Sequence, residues 1–369
     1  MKIAIIGPAF PLRGGIAQYL AVLHRELAKN HAVVFISFRR QYPRFLFPGT
    51  SQLEPGKPKI KVDSCRIIDS LNPFTWIRAF RIVHREKADL LIFKWWTPFF
   101  GLCFGTISLL SRRFTGSRVI FICDNAMPHE RRPGDKILTR FAFSQVDRFL
   151  VMSGFVKNEL LKLKPRAEVR EVFHPDYSFF AAEAVDRVAA RREVQVSGNV
   201  ILFFGYVRPY KGLEFLIEAM PLILREIDAT LLVVGDFYEP VEKYTSIVKK
   251  LGIGEKVKIM SGYIPDDKVG RYFSAADVVV LPYTSGTQSG VVQVAYAFEV
   301  PAVSTKVGGV PEAISDGETG LLVPPGDSNA IAEAVIRFFK DDLGPSMREN
   351  IRAHREKFSW AKVVEAIEN

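Results

Sequence analysis

Short apolar runs alternate with segments of helical periodicity through the first half of the chain. The apolar runs predict strands at Lys2–Gly7, Ala32–Ser37, Leu90–Lys94, Val119–Cys123 and Arg148–Met152. Apolar residues at helical spacing predict helices at Ile16–Lys29, Trp76–Glu86 and Gly154–Lys162. Strands separated by helices indicate a parallel sheet that is covered by helices on both faces.

The same pattern returns in the second half, which predicts strands at Val200–Phe204, Thr230–Val234, Val257–Met260, Val278–Leu281 and Ala302–Ser304. We therefore predict an α/β protein with two doubly wound, Rossmann-like domains at residues 1–180 and 199–347. A linker is expected at 181–198, and an amphipathic helix at 348–369 is expected to pack back on the first domain. Because open parallel sheets bind ligands beyond the carboxyl ends of their strands, two such domains facing each other would form a loop-lined cleft.

Three glycine-marked loops in the second half each lie where a predicted strand gives way to a helix. They span residues 205–212, 286–293 and 308–312. Glycine allows a phosphate to approach the unpaired N–H groups of a helix start, which suits Gly290 before Val291 and Val292. Arg208 and Lys211 add two cations to the first loop. Taken alone, Lys211 could be an ordinary surface lysine and Gly290 an ordinary tight turn. A cation at a helix start opposes the helix dipole, however, so a purely structural role explains Lys211 poorly. The loops predict a diphosphate site that needs no metal.

Composition and charge narrow the class of protein. The net charge is +10, yet residues 1–180 carry 29 Lys and Arg against 14 Asp and Glu, whereas residues 181–369 carry 21 against 26. Cys65, Cys103 and Cys123 have no CxxC spacing and indicate free thiols in a reducing compartment. The chain opens directly into a strand, so we expect no signal peptide, and no apolar stretch reaches the ~18 residues of a spanning helix. No zinc, nucleophilic-serine or nucleic-acid recognition motif is present.

The motifs of the second half resemble those of the group 1, or family 4, retaining glycosyltransferases of the GT-B fold. The resemblance rests on the loop from Gly205 to Gly212, the run AYAFEVP at 295–301, GGVPE at 308–312 and TGLLVPPGD at 319–327. It covers about residues 200–327, and the N-terminal half matches more loosely through Gly14-Gly15 and the run DNAMPHE at 124–130. The resemblance implies transfer of a sugar from a nucleotide-diphosphate sugar to an acceptor hydroxyl, with no cofactor and no metal.

The resemblance also implies roles for single residues. Arg208 and Lys211 would neutralise the leaving diphosphate, and the helix start at Gly290, Val291 and Val292 would hold its distal phosphate. The donor base, ribose and sugar are expected near Gly262, Tyr263, Ile264, Gln288, Gln293 and Glu312. Gly14 and Gly15 would approach the same phosphates or the acceptor. His129, with Asp124 as its rival, is the catalytic candidate.

The chain departs from the family at three positions. Gly286 and Val294 stand where the family has two glutamates, and Tyr206 stands where it has an arginine. The second glutamate normally binds the ribose hydroxyls, and Gln293 and Gln288 are the nearest polar replacements. Two other functions therefore stay open: a sugar-nucleotide epimerase on the same fold, and a non-catalytic nucleotide-sugar binder.

The acceptor is expected to be a lipid-linked or cell-envelope glycan, as in polysaccharide biosynthesis. The basic N-terminal half suggests peripheral contact with an anionic membrane from the cytoplasmic side. Phe45–Phe47, with Arg39, Arg40 and Arg44, is predicted to touch the lipid. The apolar run Phe104–Leu110 is instead predicted to be a buried helix on the sheet.

Overall fold

The computed structural model describes residues 1–43, 46–47, 51–128, 132–181 and 185–369. The chain divides into two compact units: Met1–Phe173 together with Trp360–Asn369 forms the first, and His174–Ser359 forms the second. The catalytic candidate His129 lies outside the described residues, as do Arg44 and Phe45.

The regular elements number as follows along the chain. The strands are β1 (Lys2–Ile6), β2 (Ala32–Arg40), β3 (Cys65–Asp69), β4 (Leu90–Trp95), β5 (Arg118–Cys123), β6 (Arg148–Val151), β7 (Glu168–Glu171), β8 (Asn199–Phe204), β9 (Ala229–Gly235), β10 (Val257–Ser261), β11 (Val278–Leu281), β12 (Ala302–Thr305) and β13 (Gly320–Val323). The helices are α1 (Gly15–Leu27), α2 (Pro73–Glu86), α3 (Gly101–Thr115), α4 (Asp135–Ser144), α5 (Gly154–Leu163), α6 (Ser178–Ala181), α7 (Arg187–Val194), α8 (Leu213–Glu226), α9 (Val241–Lys250), α10 (Val269–Ala275), α11 (Gly290–Ala297), α12 (Ser328–Lys340), α13 (Gly344–Ala353) and α14 (Trp360–Glu368).

The first unit is built on a parallel sheet with strand order β3-β2-β1-β4-β5-β6-β7. Alternate strand residues such as Phe93 and Phe121 form one core with α2, α3 and α4. The remaining strand residues point to the other face of the sheet, which α1 covers. His24 of α1 stacks on Phe35 of β2, and Tyr19 of α1 lies over Lys94 of β4. Helix α14 packs against α1. Strand order reverses between β1 and β4, so the loops that follow these strands flank the point where such sheets bind ligands.

The second unit repeats this design with strand order β10-β9-β8-β11-β12-β13. Its core joins the strands to α8, α9 and α12, with fully buried residues such as Leu216, Tyr244 and Val335. Order reverses between β8 and β11, and β12 is the next strand. The three glycine-marked loops follow these three adjacent strands, so the topology places them at one edge of the sheet.

Most strands and the parallel arrangement were predicted correctly, and three strands were not. Strands β3, β7 and β13 are short, and β3 and β7 carry charged residues that break the apolar signal. The buried helix predicted at Phe104–Leu110 is confirmed as part of α3, although Leu109 is exposed.

The predicted boundaries between domains need correction. The single helix expected at 348–369 is wrong, because a 3₁₀ turn at Arg355–Phe358 separates α13 from α14. Only α14 belongs to the first unit, whereas α13 belongs to the second. The units divide after Phe173, before the expected linker, and α7 occupies part of residues 181–198. Helix α7 is capped by Asp186 and packs against α10 in the second unit.

Candidate functional site

The three loops of the second unit converge at the carboxyl edge of its sheet. Gly205 lies next to the start of α11, since a Cβ added there would be 3.6 Å from Val291 Cγ2. Gly212 has a φ of 63°, and an added Cβ would overlap the carbonyl of Pro282, which directly follows β11 and leads into the second loop. A Cβ at Gly308 would likewise overlap the carbonyl of Gly286, which joins the third loop to the second. Glycine at positions 212 and 308 therefore permits a close approach that any side chain would block.

Both cations of the first loop are held over aromatic rings. Lys211 Nζ lies 3.7 Å from the ring centroid of Tyr283, and Arg208 Cζ lies 4.5 Å from that of Tyr238. Tyr206, at the position where the family has an arginine, stacks on Tyr238 with 5.2 Å between ring centroids. The rings hold the cations by cation–π attraction without neutralising their charge. Sequence reasoning missed Tyr238 and Tyr283 because neither belongs to a recognisable motif.

Lys211 bears an ammonium group in an unfavourable setting. Burial lowers its pKa, Tyr210 raises it in part, and the Arg208 guanidinium lowers it further. The charged form is thus disfavoured in the ligand-free protein, and an anion bound beside it would offset the cost of its burial. This environment is suited to a negatively charged ligand.

The N-terminus of α11 adds backbone donors to the same place. Ser289 precedes the helix without capping it, and its hydroxyl lies 3.2 Å from the Tyr283 hydroxyl. The N–H of Val292 donates to the Ser289 carbonyl at 3.2 Å, so the prediction that this group is open to a phosphate needs correction. His174, which the sequence suggested as scaffolding only, has Nε2 3.7 Å from a Cβ built on Gly290. Its position before β8 in the sequence concealed this proximity.

Gln293 is the most unusual polar side chain of the site. It is 1% exposed on α11, and neither its amide oxygen nor its nitrogen has a hydrogen-bond partner among the described residues. A buried amide without partners is costly, and a ligand could supply them. Gln288 lies in the preceding loop with its amide oxygen buried. A Cβ at Gly286 would lie 3.2 Å from Val310 Cγ2, so a glutamate there would require a small shift of the Val310 side chain.

The remaining donor-side candidates lie along the same sheet edge. Gly262 follows β10, and its N–H donates to the carbonyl of Gly235 at 2.9 Å. Tyr263 and Ile264 follow it and are partly buried. Glu312 lies in a 3₁₀ turn at Val310–Ala313, where its carbonyl oxygen accepts from Lys357 Nζ at 3.4 Å. The structure therefore brings the described donor-side candidates from the second half of the chain to one edge of the second unit.

Gly14, Gly15 and Asp124 belong to the first unit. Gly14 has a φ of 103° and precedes α1, whose first residue is Gly15. Asp124 follows β5 and forms an ion pair with Lys94, with 2.6 Å between Oδ1 and Nζ. Lys94 is 1% exposed and lies 3.9 Å from the centroid of the Tyr19 ring. A lysine inside an apolar strand is the sequence signal that marks Lys94.

No metal-binding group and no membrane-spanning helix occurs in the described part of the chain. No three His, Cys, Asp or Glu side chains cluster as metal ligands within those residues. None of the described helices is long and apolar enough to cross a bilayer.

Comparison with known proteins matches both the sequence and the fold. Residues 198–341 match the family model "Glycosyl transferases group 1". The chain is 28% identical over 389 aligned residues to N-acetyl-alpha-D-glucosaminyl L-malate synthase of Bacillus anthracis, covering 100% of this chain and 96% of the relative. A D-inositol 3-phosphate glycosyltransferase of Corynebacterium glutamicum is 30% identical over 207 residues, covering 54% of this chain and 48% of the relative.

Two solved structures share the fold across the whole chain. A sucrose-phosphate synthase from Thermosynechococcus elongatus superposes with a TM-score of 0.76 at 20% identity, covering 100% of this chain and 97% of that one. HepE from Anabaena, crystallised with UDP, superposes with a TM-score of 0.77 at 18% identity, covering 100% of this chain and 98% of that one. The two parallel sheets are those of GT-B glycosyltransferases, and the phosphate-suited loops lie within the matched region. Residues 198–341 thus carry the sequence of the group 1 glycosyltransferases, and the chain has the GT-B fold.

Proposed function

We propose that this glycosyltransferase moves a sugar from a nucleoside-diphosphate sugar to an acceptor hydroxyl with retention of anomeric configuration and without a metal ion. The observation that carries the proposal is the juxtaposition of Arg208, Lys211 and the start of α11 where strand order reverses. Departure of a nucleoside diphosphate leaves negative charge on its phosphates. Fixed cations and helix N–H groups stabilise such charge without reorganising.

Uridine diphosphate is the first donor nucleotide to test. HepE from Anabaena was crystallised with UDP-glucose, and it shares this fold at 17% identity. Gly262, Tyr263 and Ile264 would face the base, Gln293 and Gln288 the ribose, and Glu312 the transferred sugar. In the first unit, Gly14 and Gly15 would approach the donor phosphates or the acceptor. His129 and Asp124 are the catalytic candidates, and Lys94 would fix the Asp124 carboxylate.

We propose a lipid-linked envelope glycan as the acceptor, presented at an anionic membrane surface on the cytoplasmic side. The support is the excess of 29 Lys and Arg over 14 Asp and Glu in residues 1–180. Basic surfaces accumulate at anionic lipid because each cation near the membrane contributes about 1 kcal/mol.

Product analysis with matched variants tests the proposal. UDP-, GDP- and ADP-sugars are supplied with a polyprenyl-phosphate glycan, and the new linkage is assigned by NMR. We expect an axial donor linkage to stay axial, and Arg208→Ala and Lys211→Met to lower kcat/KM by about 10²–10³-fold. Lys250→Ala, an exposed lysine at the end of α9, is the control and keeps full activity.

Three results would contradict the proposal. Inversion at the anomeric carbon would overturn the stereochemistry, and an epimerised sugar nucleotide without transfer would overturn the reaction. Loss of activity in EDTA that added Mg²⁺ or Mn²⁺ restores would overturn metal independence, because the fixed cations would then be insufficient.

A further inference from the structure

Helices α2, α3 and α4 form one layer on the sheet of the first unit, with α3 in contact with both neighbours. Gly101 and Gly105 of α3 let α4 approach closely, since added Cβ atoms would lie 2.7 Å from the Leu138 oxygen and 2.5 Å from Phe141 Cε1. The Phe80 and Phe114 rings join α2 to α3, with centroids 6.0 Å apart. The three helices of this layer are therefore closely packed side by side.

Large apolar side chains protrude from this outer side. Phe74 is 80% exposed, Ile137 73%, Phe114 63% and Leu102 51%, and Ile77 and Leu109 are also exposed. On α2 the inward residues Trp76, Ala79 and Val83 are buried, so Phe74 is not a core residue displaced by a register error. Single exposed apolar residues are ordinary, but six on three adjacent helices require an explanation.

Cations are interleaved with these apolar side chains, while carboxylates are nearly absent. Five exposed cations form no ion pair among the described residues: Arg78, Arg81, Arg113, Lys136 and Arg140. The three helices contain only two carboxylates, of which Asp135 is buried and Glu86 is paired with Arg85. Unpaired cations repel one another unless an external anion is present.

We propose that the α2–α4 outer face, defined by those six apolar residues and five cations, docks on an anionic phospholipid bilayer. The proposal rests on the membrane-borne acceptor proposed above and assigns the surface that reaches it. Aromatic and aliphatic side chains enter the interface while arginines contact lipid phosphates. An acidic protein would complement the charge, but the exposed apolar side chains are spread over three adjacent helices. A broad fluid surface suits that arrangement better.

This face differs from the one that the sequence suggested. Phe47 is partly buried, with its ring centroid 6.2 Å from that of Tyr42 and 5.4 Å from Arg13 Cζ. Arg40 pairs with Asp69 at 2.7 Å. These groups have partners within the first unit, whereas the cations of the α2–α4 outer face named above do not pair with any described residue.

Flotation with vesicles tests the assignment. Full-length protein is mixed with phosphatidylcholine vesicles, with and without phosphatidylglycerol. We expect flotation only with phosphatidylglycerol at low ionic strength, and release near ~1 M salt, where the Debye length is ~3 Å. Each cation near the surface strengthens binding about fivefold, so the triple variant Arg78→Ser/Arg81→Ser/Arg113→Ser should bind at least about tenfold more weakly. The variant Phe74→Ser/Phe114→Ser/Ile137→Ser should lose flotation comparably.

A charge-matched control separates this face from net charge. Arg25→Ser/Lys162→Ser/Arg166→Ser removes three exposed cations from other parts of the first unit and should float like wild type. Equal loss in this control, or unchanged flotation of both face variants, would overturn the assignment. The single substitution Phe74→Trp provides a test that does not depend on whether the triple variants fold. Its added fluorescence should be quenched by brominated phosphatidylglycerol, and absence of quenching would overturn the proposal.

Donor binding distinguishes the two proposals. The variants are titrated with UDP, whose proposed contacts lie in the second unit. Wild type that binds UDP but does not float would overturn the docking face and leave the glycosyltransferase chemistry standing. Wild type that floats but does not bind UDP would overturn the glycosyltransferase proposal and leave the docking face standing.

Discussion

Lys211 illustrates at the residue scale how a binding site is maintained at the expense of stability. Its ammonium is partly buried beside Arg208, and its pKa is lowered from the usual value of 10.5. A lowered folded-state pKa means that the charged form destabilises the fold fully at any pH below that pKa. The cost shrinks as pH rises from the folded-state pKa and is lost above the unfolded-state pKa near 10.5. Function requires the charge, so the cost is retained.

Replacing Lys211 by Met should therefore separate stability from binding. Without ligand, Lys211→Met should raise Tm at neutral pH by about 2 °C, because an unfavourable buried charge is removed. UDP should bind it at least about tenfold more weakly. In wild type, UDP affinity should decline as pH rises towards 10.5, whereas Lys211→Arg should keep its affinity because arginine stays charged. Calorimetric titration and thermal scans measure both effects, and a Lys211→Met protein of lower Tm would refute the interpretation.

Gln293 leads to a second prediction of the same kind. Its amide is buried without a partner among the described residues, so Gln293→Leu should leave stability unchanged or raise it by up to about 1 kcal/mol. If the amide binds the ribose, UDP affinity should fall about five- to tenfold. Urea denaturation and UDP titration give the two numbers, with Gln145→Leu as a matched control. An unchanged UDP affinity would show that Gln293 does not contact the nucleotide.

At the element scale, α14 closes the first unit although it is the last helix of the chain. Trp360 is buried, and its ring centroid lies 4.9 Å from that of Tyr19 in α1. Near the other end of α14, His31 Nε2 lies 2.6 Å from Glu368 Oε1. Arg148 also donates to the carbonyl oxygens of Ala366 at 3.5 Å and Asn369 at 3.1 Å. These contacts and the buried residues Val363 and Ile367 hold the ten-residue segment on the first unit.

We expect Trp360→Ala to destabilise the first unit by about 3–5 kcal/mol, the usual loss for a buried tryptophan. Lys362→Ala, at an exposed position on the same helix, should have little effect. Hydrogen exchange reports the units separately, and α1 should lose protection while β8 to β13 keep theirs. Equal loss in both units would show that α14 stabilises the whole chain rather than the first unit.

Charge is divided unequally at the scale of the whole molecule. Residues 1–180 carry a net +15 from 29 Lys and Arg against 14 Asp and Glu, and residues 181–369 carry a net −5 from 21 against 26. The negative second unit nevertheless places Arg208 and Lys211 at its ligand edge. Local placement, not net charge, therefore suits that unit to a diphosphate, whereas the first unit presents broad positive charge to its surroundings.

The sequence by itself determined the fold class, most strands and the phosphate-suited loops. These features depend on residues close together in the chain: apolar runs, helical spacing and glycines at strand ends. The sequence did not predict weakly apolar strands such as β7 or the break between α13 and α14, because the local pattern at these places is ambiguous.

Only the tertiary structure decided which distant residues meet and which surfaces stay uncovered. Strand order brought Lys94 to Asp124 and His174 to Gly290, pairs that no spacing rule connects. The packing of three helices in one layer left Phe74, Phe114 and Ile137 exposed, although each lies in an apolar pattern that is compatible with burial. Periodicity tells which side of a helix is apolar, whereas exposure depends on what the rest of the fold places against it.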